Sequence, residues 1–427
     1  MAAPRMRLIL HSLLILSFCG HLVWASQSIS EVNRYPIREP SECELALLST
    51  GELSLMARLQ TLSNAKTSIR IRALIFTADE TGLHIARILK QKASEGKKVI
   101  VMVDALSNLS LANQWMYYDL KMNGVEVEGF EIPWQIPLKK LINLPERNKR
   151  YHDKLWIIDA EDAEAAVAIG GGMNIANEYF QIGSARERLW RDQDFAVRGA
   201  IVGDMTSSFD RDYKSFKKER ESNPDVLNSD KTFPTWRKIS NKVLSLIEDA
   251  IGLKFGIPVL ENKLNRAEGE AVQDDSAKLK LEFKAVKAQF IQSRPRYFET
   301  YIQDAYLNAI RSARREIVIA NAYFVPGDIL RAELKAAARR GVEVHILTNS
   351  RETNDLAQLS LVARSLYRDL LSAGEKMHIY EFQGHRFLHT IHAKFGVFDG
   401  STSIVGSFNL DPRSELLNSE TVITFED

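Results

Sequence analysis

His152, Lys154 and Asp159 lie in the run YHDKLWIID, and His392, Lys394 and Asp399 in IHAKFGVFD, so the pattern H-x-K-x4-D occurs twice in a chain of 427 residues. Each copy carries alternating apolar residues that predict a half-buried strand. Residues two apart on a strand leave the same face, so each imidazole stands beside an ammonium. That crowding of basic groups is costly unless an anion is expected there. The residue types supply a group that can attack or carry a proton, next to a fixed positive charge.

The two copies also share their tails. Asp399-Gly400 predicts a turn, Ser403 to Gly406 a second short strand, and Asn409 follows at its end. After the first copy come Gly170, Gly171 and Gly172, then Asn174, so that GGMN at 171–174 matches GSFN at 406–409. Chance is a poor explanation for two such copies. The glycines can be read as a phosphate cradle, but more often mark a close approach or conformation that a side chain would forbid.

The elements that must position these residues form a longer internal repeat. Residues 67–76 (TSIRIRALIF) predict a strand, followed by a helix to about Ser94 and a strand over 96–104 (GKKVIVMVD). The later half repeats this plan: a strand over 315–324 (REIVIANAYF), a helix to about Arg340, and a strand over 341–349 (GVEVHILTN). Strand, helix, strand with a crossover implies parallel pairing in a covered sheet. The fold class is therefore α/β: two pseudo-repeated lobes, each a mixed sheet covered by helices, with the site at their interface. A final strand is expected over 421–425.

The expected divisions are a leader over 1–25, a first lobe over 26–235, an inter-lobe helix and linker over 236–285, and a second lobe over 286–427. The leader reads as a secretory signal peptide, with Arg5 and Arg7 before an apolar run over 8–24 and small residues near Ala25. Left uncut, the run would serve as an anchor, and Cys19 raises a lipoprotein reading that Phe18 opposes. An exported protein, periplasmic or extracellular, is expected. Between the lobes, 216–225 is charged, 243–253 has helical apolar spacing, and 265–278 is acidic and turn-rich.

Composition excludes several classes. The formal charge is +1, and removing Arg5 and Arg7 makes it −1, so no general basic field points to nucleic acid. Of two cysteines only Cys43 would survive cleavage, leaving no internal disulfide. No Cys/His spacing supports a structural zinc, and no cofactor is expected. His84, His345, His378, His385 and His389 lack the double-motif context and read as ordinary histidines.

The doubled H-x-K-x4-D box, each followed by G-(G/S)-x-N, resembles the phospholipase D superfamily, and more closely its bacterial cardiolipin synthase-like branch. The likeness covers nearly all of the chain after residue 50. It implies a metal-free phosphodiester enzyme acting through a phosphohistidine, with His152 as nucleophile and His392 as acid and base. Lys154, Lys394, Asn174 and Asn409 would hold the phosphoryl oxygens. Downstream acidic positions, Asp192 or Asp194 and Glu420, would orient the histidines, with Asp192 the better match. Asp159 and Asp399 are motif residues expected to tie strand ends or the lobe interface. The implied substrate is a phospholipid whose phosphatidyl group passes to an alcohol or to water. The enzyme is expected to be a monomer working at a membrane surface, which the loop at 130–150 would suit with Trp134 beside Lys139 and Lys140. The alternative is an exported nuclease of the same superfamily; a non-catalytic binding module is disfavoured by the intact motifs.

Overall fold

A computed structural model describes residues 34–104, 107–108, 110–129, 150–182, 189–221, 279–384 and 389–426. The expected leader, nearly all of the loop at 130–150, the helix at 243–253, the linker at 265–278 and His385 lie outside these residues.

The first half supplies strands β1 (Ile37–Arg38), β2 (Cys43–Leu48), β3 (Ser68–Ala73), β4 (Lys98–Val103), β5 (Glu126–Glu128), β6 (Leu155–Ile158), β7 (Val167–Gly171), β8 (Leu189–Arg191) and β9 (Asp194–Gly199). The second supplies β10 (Lys284–Ala285), β11 (Lys287–Ser293), β12 (Glu316–Asn321), β13 (Glu343–Asn349), β14 (Met377–Phe382), β15 (His389–Ile391), β16 (Lys394–Phe398), β17 (Thr402–Gly406) and β18 (Glu420–Glu426). Among the described residues, all but β8 and β15 build two eight-stranded sheets, ordered β10-β2-β9-β7-β6-β3-β4-β5 and β1-β11-β18-β17-β16-β12-β13-β14, while β8 and β15 pair as a two-stranded sheet. The second order repeats the first strand for strand. Pairs β3–β4 and β12–β13 are parallel, as the crossover helices require, while β6–β7 and β16–β17 are antiparallel hairpins.

Local sequence explains the elements. All six residues of β3 and five of six in β4 are buried, the pattern of parallel strands covered on both faces. Helix α1 (Gly51–Ser63) is capped by Thr50, α2 (Glu80–Ser94) by Asp79 and α3 (Leu111–Met122) by Ser110, each side chain accepting from a backbone N–H of the first turn.

One expectation needs correcting. Lys284–Ala285, placed by sequence in the inter-lobe segment, pair with β2 and edge the first sheet, whereas Ile37–Arg38, assigned to the first lobe, pair with β11 and edge the second. Two-residue strands carry no readable periodicity, so this exchange is decided by tertiary pairing.

A shared core joins the lobes. Ile157, Phe195, Val197 and Phe209 from the first half pack in one cluster with Phe290, Val405, Ile423 and Phe425 from the second. Each fully buried side chain of this size contributes about 1.5–3 kcal/mol, which sets the two sheets in a fixed register. A buried ionic network reinforces it: Arg72 on β3 lies 2.6 Å from Asp153 and also pairs with Asp212, which accepts from Arg294 at 3.0 Å. Asp153 is the middle residue of the first H-x-K box, so the network grips the segment that carries His152 into β6.

Candidate active site

Two short parallel pairings cross between the lobes, and they create the site. Strand β15, which runs into His392, pairs with β8, which runs into Asp192: Thr390 faces Trp190 and Ile391 faces Arg191. By the same pseudo-symmetry Tyr151 bridges Ser419, the residue before Glu420. The amides of His152 and Asp153 donate to the Ser419 carbonyl at 2.9 and 3.1 Å, and those of His392 and Ala393 to the Arg191 carbonyl at 2.7 and 3.0 Å. Each histidine is thereby set opposite the carboxylate that follows the other lobe's pairing residue.

The side chains complete the exchange. His152 Nδ1–H donates to Glu420 Oε2 at 2.8 Å, and His392 Nδ1–H to Asp192 Oδ2 at 2.6 Å. A carboxylate on Nδ1 fixes the tautomer and leaves Nε2 unprotonated for chemistry. Lys154 and Lys394 are 3% and 1% exposed and donate to the carbonyls of His152 and His392. Lys394 Nζ also lies 2.8 Å from His392 Nδ1, but that nitrogen can serve one partner, and its proton goes to the carboxylate.

Burial governs the electrostatics. It lowers both histidines, His392 well below the ordinary range with Lys394 and Lys154 adding to the effect, and it pulls Lys154 down to about 8. Two buried ammonium groups beside two imidazoles favour the arrival of an anion.

The two halves differ in one respect that the sequence did not reveal. Glu420 accepts from Ser407 Oγ at 2.6 Å and Ser414 Oγ at 2.7 Å. Burial pushes its carboxyl up, but His152, Lys154 and Ser407 outweigh burial and hold it below the usual range. Asp192 accepts from the Gln193 amide at 2.8 Å, and burial drives it up to about 6 against the pull of Lys394. Ser407 is the G-S-x-N counterpart of Gly172, so one of the two hydroxyls on Glu420 stands where the other side has only a glycine.

Several predicted residues sit elsewhere. Asp159 and Asp399 do not enter the constellation. Both adopt left-handed backbone, φ 53° and 55°, at the far ends of β6 and β16. Asp159 accepts from the amides of Lys66, Thr67 and Ser68, and Asp399 from those of Arg314, Arg315 and Glu316, so each pins the start of the neighbouring strand. Asp194 serves Arg58, Ser54 and the Met173 amide. Asn174 accepts from the Ile75 amide at 3.2 Å and donates to Tyr179 Oη at 2.7 Å. Asn409, by contrast, has a buried Oδ1 without a hydrogen-bond partner among the described residues.

Sequence reasoning missed the aromatic wall around His392. Tyr179 and Tyr323 present edges to its ring at centroid distances of 5.3 and 6.4 Å, and Trp190 leans over it at 5.5 Å. Tyr323 Oη donates to Asp355 at 2.8 Å. Trp190 lies two residues from Asp192 and could have been flagged; Tyr179 and Tyr323 carry no motif signal.

Gly172 shows why the tail is glycine-rich. A Cβ built there would collide with Asp192 Oδ1. Gly172→Ala is expected to displace Asp192 from His392 and lower turnover by about 10²-fold, the loss that a small misplacement of a catalytic group brings, with the fold intact by circular dichroism. Activity within twofold of the parent would show that the close approach is unnecessary.

Comparison with known proteins agrees with this architecture. Residues 59–213 and 306–427 match the family described as "Cardiolipin synthase, PLD-like domain". Cardiolipin synthase of Geobacillus kaustophilus is 28% identical over 391 residues, covering 91% of this chain and 64% of that protein. Cardiolipin synthase of Clostridium perfringens is 28% identical over 364 residues, covering 85% and 62%. The chain thus spans a little under two thirds of the length of these relatives. Phosphatidylserine synthase of Haemophilus influenzae, a crystal structure, shares the fold with a TM-score of 0.62 at 15% identity, covering 93% of this chain and 85% of that one. Since the family match takes in both lobes and both H-x-K-x4-D boxes, the chain belongs to the cardiolipin synthase, PLD-like domain family.

Proposed function

We propose that the chain transfers a phosphatidyl group from a phospholipid to an alcohol, or to water, through a phosphohistidine. The observation that carries this reading is the pair of carboxylate-held imidazoles sharing one interface with two buried lysines. His152 Nε2 attacks phosphorus, and the ester bond to the leaving oxygen breaks as His392 delivers its proton. The acceptor hydroxyl then gives its proton to His392 while its oxygen displaces His152. Lys154 and Lys394 neutralise the phosphoryl oxygens, and Asn409 would join them.

The serine-supported Glu420 favours His152 as nucleophile. Phosphorylation at Nε2 leaves the ring cationic, and an anionic carboxylate at Nδ1–H stabilises that charge. Asp192, driven up to about 6, suits the partner that passes a proton back and forth.

Relatives named cardiolipin synthase make phosphatidylglycerol the first substrate to test. Among the described residues no helix is long and apolar enough to cross a membrane. Export through residues 1–25 and membrane contact through the loop at 130–150 complete the proposal. The full chain, incubated with phosphatidylglycerol vesicles in chelator, is expected to form cardiolipin and glycerol, or phosphatidic acid where water is the acceptor, and His392→Ala to form neither. No lipid product, with DNA cleaved instead, would overturn the phospholipid reading.

A further inference from the structure

Strands β12, β13 and β14 present a second cluster of ionisable groups, outside the two motifs. On β13, Glu343 and His345 are two residues apart and share a face, and His378 on β14 stands directly opposite His345 in the parallel register. Glu343, His345 and His378 are all half-buried, and one ligand atom from each lies within 4.8 Å of the others. Glu316 on β12 is opposite Glu343 and brings a carboxylate oxygen 3.9 Å from His345 Nε2.

We propose that Glu343, His345 and His378 form a binding site for a zinc-class divalent cation, with Glu316 at hand as a fourth donor. Two imidazoles and a carboxylate are the donor set that zinc and its neighbours in the first transition row accept. The atoms are also sorted for ligation. Glu343 Oε1 is engaged by Lys376, while Oε2 faces His378 Nε2 at 3.2 Å. His345 Nδ1 lies 3.4 Å from the Tyr380 hydroxyl, which places Nε2 toward the carboxylates. A ring nitrogen aimed at a carboxylate needs a proton or a metal between them. The two imidazoles are stacked 4.8 Å apart and inclined by 11°, close to the spacing of neighbouring strands. Tetrahedral zinc with bonds of 2.0–2.1 Å requires nitrogens about 3.3 Å apart, a closure that side chains 30% and 35% exposed reach by tilting their rings.

The cation would clasp β14, the edge strand of its sheet, to β13. It therefore stabilises the second lobe and takes no part in the phosphoryl chemistry. Because it binds the folded chain, it raises the melting temperature.

The full chain, stripped with chelator and titrated with zinc chloride by calorimetry, is expected to bind one equivalent and to melt several degrees higher. His345→Ala, or the milder His378→Gln, should weaken binding by at least about tenfold and remove the thermal shift, with melting in chelator unchanged. His152→Ala should keep both effects, which separates this site from the catalytic histidines. No saturable binding to the parent, or binding lost in His152→Ala and retained in His345→Ala and His378→Gln, would overturn the assignment.

Discussion

His392→Ala is expected to stall as a phosphoenzyme where His152→Ala forms none. The discriminating substrate is a phosphodiester with a p-nitrophenolate leaving group, which departs without needing a proton. With His392 absent, His152 can still attack and release one equivalent of nitrophenolate, but no base remains to activate the acceptor. The burst should then stop, leaving an acid-labile, base-stable phosphoryl group on the chain. With His152 absent, attack itself is lost, and steady turnover should fall by about 10⁴-fold or more. On a phospholipid, whose alkoxide needs protonation, both variants should be severely impaired. A burst from His152→Ala with none from His392→Ala would reverse the roles while leaving the covalent mechanism in place.

The second large effect is expected at Glu420. Glu420→Gln keeps size and packing but removes the charge behind His152, and its amide NH₂ can force the wrong tautomer. Loss of a carboxylate behind a catalytic imidazole costs about 10³- to 10⁴-fold, and the loss should fall on kcat with KM little changed. Asp192→Asn should cost less on a nitrophenyl substrate, because the first step then needs no acid. His152, Lys154 and Ser407 outweigh burial and hold the Glu420 carboxyl below its usual range, so the parent should keep this carboxylate ionised as the solution is acidified toward the ordinary glutamate range. Measuring kcat and KM for both variants across that range checks the division of labour. Equal losses in the two variants on both substrates would show that the serine-supported side has no special role.

Much of this site could be read in one dimension. The H-x-K spacing named both basic groups, although His152 and His392 stand just outside the strands expected to carry them, and a doubled motif within a doubled strand–helix–strand plan implies two lobes. Gly172 was legible as a close approach, though not its partner. The limits were equally physical. Asp192 and Asp194 both face inward from adjacent strand ends, and only the Arg191 pairing with Ile391 makes Asp192 the residue at His392. Nothing in the sequence says that each carboxylate serves the opposite lobe's histidine, since that depends on backbone bonds between segments more than 190 residues apart, such as Arg191 and His392.

The same reasoning covers what the sequence hid. Ser407 differs from Gly172 by one hydroxymethyl, a difference with no meaning until Glu420 is within 2.6 Å of it. His345 and His378, separated by a helix, carry no recognisable ligand spacing, and become a cluster only through strand register. By itself the sequence determined the chemical inventory and the repeated fold, because local periodicity and motif spacing are properties of neighbouring residues. The tertiary structure alone decided which acid meets which base, because those contacts are set by the crossing of two lobes around a shared core.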